Sequence, residues 1–288
     1  MLATESFLEK KFEMWPGLLR FSASGEGALS ALDLAMDTAR AICDSLMGDA
    51  ELLSRGSLDV LPRGAAARHA LEAGRIVSAA LGAQPAPPLL VALPGAVCDL
   101  VLAGMCDAGG VDAACVTLGD ACSYFAGHDG LMPLGMPPVG QEFARSLDGA
   151  GYSGGIALGG AAHVFPTSGI ADLVAAHSVS AAQSALLVAS VSDMMVWRGA
   201  KARRGRIVDP FVAQAFSGQT LAEPVGLVPP EDIWEVLSKG ARRASLLRDK
   251  RLFTACVFAL KGRGRIVAPV GSGLGGDRLL RLGVSEWR

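Results

Sequence analysis

The sequence predicts an α+β fold, a single large domain in which sheet layers are covered by helices. Three observations carry this expectation. A chain of 288 residues with 51% hydrophobic and 19% charged side chains can bury a large core. Residues 28–53 set Leu29, Leu32, Ala35, Met36, Ala39, Ile42, Cys43 and Leu46 at helical spacing, the pattern of a long amphipathic helix lying on a sheet. Residues 151–193 pass through paired glycines, a Ser168-Gly169-Ile170-Ala171-Asp172 box and a run of Ala, Ser and Leu, so that a loop, a strand and a small-residue helix follow closely.

The elements follow in order. Residues 1–17 form an appended arm whose Phe7, Leu8, Phe12 and Trp15 suit a short helix docking on the body or on a partner. Residues 18–24 alternate as an edge strand does, and residues 63–81 make a second helix after 28–53, with His69 as a structural or surface histidine among alanines. A proline-rich turn at 84–88 leads to a charge-poor helix at 96–108 and a buried strand at 112–117. A hairpin turn at 126–130 carries His128, and a proline-rich loop follows over 131–141. In the central stretch, Leu173 and Val174 suit a short buried strand, and Ser178 or Ser180 caps a helix over 181–191 that can lie very close to a neighbour. Pro229-Pro230-Glu231-Asp232 starts another helix, with acids in the first turn where the helix dipole favours them. Strands at 252–260 and 265–267 close the body, which spans 18–268 and leaves 269–288 as a tail. The Gly-x-Gly-x-x-Gly pattern at 271–276 belongs to that tail, because only a dozen residues follow where a dinucleotide site needs a helix and a later acid.

Charge and cysteine usage exclude several classes. A formal net charge of -2 without a long basic run lacks the footprint of a nucleic-acid binder. The local basic segment at 198–206 is a solvated loop or a site for an anionic ligand or partner. Six cysteines without a Cys-x-x-Cys pair, several of them in apolar runs, fit free thiols in a reducing, cytoplasmic setting. The apolar stretch 89–105 is interrupted by Pro94 and Asp99 and is not expected to span a membrane, and no secretory signal or lipoprotein leader is visible.

GIALGGAAHVFPTSGIADLV at 155–174 and SAAQSALLVASVSD at 180–193 resemble the Gly-Ile-Ala box, the Gly-x-Ala-Asp box and the Ala-rich helix of the uncharacterised ApbE-like family, related to the FAD:protein FMN transferases. ALPGAVCDLVLAGM at 92–105, VDAACVTLGDACSYF at 111–125 and GARRASLLRDKRLFTACVFALKGRGRIV at 240–267 fit in the same order. The resemblance covers roughly 18–268 and implies an ApbE-like fold more readily than a reaction. It also exposes departures. The transferases hold a metal partly through an Asp and a Thr four residues apart on the Ala-rich helix, positions taken here by Ala182 and Leu186, neither of which can ligate a hard cation. Leu158 and Gly159 replace a Thr-Ser pair, while the turn at 117–121 keeps the family's acid as Asp120. Metal-dependent flavin transfer is therefore not expected, no metal ligand is assigned, and the cofactor stays unknown.

Asp120 and His163 are the catalytic candidates, an acid at the edge of a pocket and a general base. For Asp120 the alternative is a turn aspartate capping backbone amides, and for His163 it is a structural histidine or one that hydrogen-bonds to a ligand. Gly119, Gly154, Gly155, Thr167, Ser168, Gly169 and Asp172 are the ligand-binding candidates. A Ser168–His163–Asp172 triad is not expected, because Asp172 lies only four residues beyond Ser168 and the Gly-x-Ser-x-Gly elbow is missing. Asp193 reads as structural. Two functional readings follow. One is a metal-independent protein that binds or converts a small polar metabolite or cofactor precursor, and the resemblance adds a link to pterin one-carbon carriers. The other is a catalytically degenerate relative that acts in binding or assembly, as a homo-oligomer or with a protein partner engaged through the arm.

Overall fold

In the computed structural model, residues 7–125, 140–141, 143–144, 153–160, 163, 165–202 and 207–268 are described. Eight strands form one antiparallel sheet in which spatial order equals chain order. They are β1 (Leu8–Met14), β2 (Gly17–Ser24), β3 (Ala113–Leu118), β4 (Ala121–Phe125), β5 (Ser153–Gly159), β6 (Leu173–Ser178), β7 (Ala255–Leu260) and β8 (Arg263–Val267). The helices are α1 (Ala28–Ser54), α2 (Ala65–Leu81), α3 (Leu93–Cys106), α4 (Ala181–Met194), the short α5 (Pro210–Ala215) and α6 (Pro230–Asp249). The α+β character holds, with one continuous sheet in place of several sheet layers. The turn at 126–130, most of the proline-rich loop and the glycine pattern at 271–276 lie outside the described residues.

The N-terminal arm departs from the helical expectation. Leu8–Met14 is a strand, and it pairs with β2 from Leu8 opposite Ala23 to Met14 opposite Gly17. Residues 18–24 are consequently an interior strand, also paired with β3. The arm carries both periods. Phe7, Leu8, Phe12 and Trp15 suit a helix, whereas Leu8, Lys10, Phe12 and Met14 alternate with Glu9, Lys11 and Glu13, and β2 offers the partner that decides for period two. Trp15 then anchors the chain to the body, its Nε1 donating to Asp209 at 2.6 Å and its ring edge-on to Phe211.

The interior strands β3 to β7 read as near-continuous apolar or small-residue runs because both faces of the sheet are covered there. Phe21, Val116, Leu118, Val174 and Phe258 belong to the core beneath the helices, whereas Cys115, Cys122, Ile156 and Val257 pack with Phe143 on the other side. The stretch Leu89–Cys106 is long and apolar enough to cross a membrane, yet 67% of it is buried inside the protein, where α3 packs on α1, α4 and β3. All six cysteines are free thiols.

Helix α4 sits closest to the sheet. Ser180 caps it by accepting from Gln183 N at 3.1 Å. A Cβ at Gly155 would stand 1.8 Å from Ala181 N, and one at Gly95 would stand 2.4 Å from the Ala181 carbonyl carbon. The start of α4 is thus wedged between β5 and α3, and only hydrogen fits at those two positions.

Candidate functional site

The site begins at the β3–β4 hairpin. Leu118 pairs with Ala121 and leaves a two-residue turn, Gly119-Asp120, with Gly119 at φ +59°. Glycine first is what a tight turn of the II′ kind selects. The Asp120 carbonyl accepts from Leu158 N at 2.9 Å, which seats the turn against β5. Beyond β5, Gly160 at φ +136° turns the chain back where a Cβ would stand 2.7 Å from the Asp172 carbonyl oxygen. His163 N donates to the Gly160 carbonyl at 3.3 Å, and its Nδ1 lies 3.0 Å from Asp120 Oδ1. The two side chains are 9% and 21% exposed. The carboxylate orients the imidazole when the ring is neutral and forms an ion pair with it when the ring is protonated.

This pair stands at a cleft of about 560 Å³, counted with its open mouth. The hairpin, the end of β5, the segment 165–167 and one face of α4 build its walls, and Pro16, Val91 and Pro94 complete them. The lining is apolar apart from Asp120, His163, Thr167 and Ser192. The Phe165 ring, one wall of the cleft, is stacked on Phe216 behind it at 6.5 Å.

Asp120, Gly119, His163 and Thr167 therefore come together, while the other five expected ligand residues do not line this cleft. Gly154 pairs with Tyr124, and its absent Cβ leaves space for His177. Gly155 admits the start of α4, and Gly169 packs on its end, where a Cβ would stand 1.8 Å from the Ser192 carbonyl oxygen. Ser168 lies on a separate depression beside Trp197, Lys201 and Thr220. Asp172 accepts from Lys261 N at 2.6 Å and from Lys261 Nζ at 3.1 Å, so it pins the β7–β8 turn, in which Lys261 adopts φ +48°.

Two further acids shape the site, neither of them among the candidates that the sequence singles out. Asp193 Oδ1 accepts from Thr167 Oγ1 and from Ser168 N, both at 2.9 Å, and so fixes Thr167 in the cleft wall. Burial pushes the Asp193 carboxyl up, against those hydrogen bonds and the nearby Arg243 charge. Asp99, in the middle of α3, accepts from Ala181 N at 2.8 Å, Ala182 N at 3.1 Å and Ser123 Oγ, and it meets His69 Nε2 at 2.9 Å. Its signal is a lone acid inside an apolar run. Such an acid needs partners once buried, and the first amides of α4 supply them.

Ala182 and Leu186, which the sequence resemblance sets against the metal ligands of the FMN transferases, are 0% and 1% exposed and have no donor atom in their side chains. Among the described residues, no group of three or more His, Cys, Asp or Glu side chains is arranged to hold a metal. A transferase-type metal on α4 does not fit these residues. No protein-family model matches the chain, and no curated protein matches it.

Proposed function

We propose that this protein binds a small molecule in the α4 cleft and converts it by proton transfer through the Asp120–His163 pair, without a metal held on α4. The observation that carries the reading is the 3.0 Å Asp120–His163 contact at an otherwise apolar cleft. Asp120 holds Nδ1, so the other imidazole nitrogen is the one to take or give a proton at the ligand. The lining refines the expected ligand: an apolar, ring-like body with one polar handle suits these walls better than a wholly polar metabolite. The resemblance of 155–174 and 180–193 to the ApbE-like family supports an ApbE-like fold and a cytoplasmic role in making or handling a cofactor, pterin one-carbon carriers among them. The free cysteines agree with that compartment.

Native mass spectrometry of the protein from its own host, then denaturation, identifies the ligand. With that ligand as substrate, Asp120→Asn and His163→Ala should each lower turnover by about 10²-fold or more. Unchanged turnover in both variants would sink the assignment. The buried Ala182 and Leu186 favour a second reading, a degenerate relative that binds without converting. In that case the ligand leaves chemically unaltered, and both variants change affinity alone.

A further inference from the structure

We propose that the protein associates head to tail with a second copy of itself, the α1–β1 face of one molecule docking on the α6–β8 face of the next. The net charge of -2 conceals a strong polarity. Residues 230–268, from the start of α6 to the end of β8, carry nine Lys or Arg against four Asp or Glu, whereas residues 8–54, from β1 to the end of α1, carry four against eight. The two ends of the sheet are β1 and β8. At about 4.8 Å per strand they stand about 34 Å apart, several Debye lengths at physiological salt. The poles cannot neutralise each other within one molecule.

The basic pole is organised. The Arg263 and Arg265 guanidinium groups lie 5.1 and 5.2 Å from the centre of the Trp234 ring, which is 41% exposed on α6. Cation–π contact holds the two like charges in place. Among the described residues neither arginine has a carboxylate within ion-pair distance, and the same holds for the exposed Arg242, Lys250 and Arg251. The acidic pole mixes exposed Asp37, Asp44 and Glu51 of α1 with exposed Leu29, Leu34 and Met47 of the same helix. Asp37 and Glu51 contact Arg40 and Arg55, but such exposed pairs are worth about 1 kcal/mol or less and can exchange partners.

Geometry makes the faces compatible. Helix α1 packs on β1 and β2, α6 packs on β7 and β8, and both belong to the same helical layer. Setting β1 of one copy beside β8 of another continues the sheet and brings the α1 acids next to the α6 and β8 cations. This contact is heterologous and closes as a ring or grows as a filament. A nucleic acid suits the basic pole less well, because the arginines already occupy the indole on which a base would stack.

Sedimentation velocity of the full chain in about 20 mM and about 500 mM salt tests the proposal, since the Debye length shrinks several-fold between them. Association is expected at low salt and loss at high salt. Arg263→Glu with Arg265→Glu, or Asp37→Lys with Asp44→Lys, should each weaken self-association about tenfold or more, and mixing the two variants should restore it. Thermal melts establish that each variant is folded, and Arg263→Gln with Arg265→Gln replaces the first pair if it is not. A wild-type monomer at low salt overturns the proposal, as does association indifferent to both reversals. A monomer that instead binds a single-stranded oligonucleotide also overturns it and assigns the basic face to nucleic acid.

Discussion

The Tyr124 hydroxyl lies 3.0 Å from His177 Nε2 across Gly154, on strands that flank β5. The hydrogen bond passes where a side chain at 154 would stand, since a Cβ there would be 2.5 Å from His177 Nε2. Burial lowers the His177 pKa to about 4, and among the described residues its buried Nδ1 has no hydrogen-bond partner. The unfolded chain takes up this proton near pH 6.5, whereas the folded chain resists until about pH 4. Stability should therefore fall as pH drops through that window, by up to about 3 kcal/mol, and level off below it. Urea unfolding at pH 7 and pH 4.5 measures the loss, and His177→Leu should remove this part of it. An equally steep decline in the variant would mean that other groups cause it.

Asp99 holds α3, α4 and β4 together through one carboxylate. Asp99→Ala leaves two α4 amides, Ser123 and His69 without their acceptor and should cost about 3 kcal/mol, whereas Asp99→Asn, which keeps one acceptor oxygen, should cost about half of that. The hydrogen bond to Asp99 raises the His69 pKa. That contribution is complete below the unfolded value and disappears as pH rises through the folded value. His69→Ala should thus be more destabilising at pH 6 than at pH 9, and denaturant midpoints at the two values decide it. A pH-independent loss would assign His69 a packing role alone.

Gly155→Ala should be among the most damaging single-methyl additions in the chain. The new Cβ would meet the Ala181 and Ser180 backbone at 1.8 and 2.1 Å, and backbone cannot rotate away as a side chain can. Overpacking of this kind costs about 3 kcal/mol or more. Gly48→Ala, with open space around its Cβ, is the matched control. Comparable midpoints for both variants would show that α4 can shift without penalty.

These glycines illustrate what is legible in a sequence. A glycine announces that something approaches the backbone, but the one-dimensional pattern does not say what. At Gly155 and Gly169 the visitor is α4, and at Gly154 it is His177, in place of a ligand. Long periodic or uniformly apolar segments read well, as α1 and β3 do, because packing and pattern agree. The start of α4 is readable to within two residues for the same reason, since capping chemistry is local: the sequence offers Ser178 or Ser180, and Ser180 is the cap. The arm reads wrongly as a helix because seven residues hold too few periods to separate helix from strand, and the decision falls to a partner strand. The Asp120–His163 contact rests on a two-residue turn and a chain reversal at Gly160, both of them local features that glycines mark. Asp99 escapes because its partners are backbone amides more than eighty residues away.

If the cleft is a binding site, filling it should abolish ligand retention without unfolding the protein. Ala185 and Ala189 stand one helical turn apart on α4 and line the cleft, so a larger side chain there grows into open space. Ala189 is only partly buried where the core meets the cleft, so Ala189→Leu should cost less than the ~1–3 kcal/mol of overpacking a closed core position. It should nevertheless eliminate any small molecule that copurifies with the wild-type chain, as judged by native mass spectrometry. Ala182→Leu, placed on the same helix at a fully buried position, should behave oppositely and lower the unfolding midpoint sharply. Retention of the ligand by a folded Ala189→Leu protein would move the binding site out of this cleft.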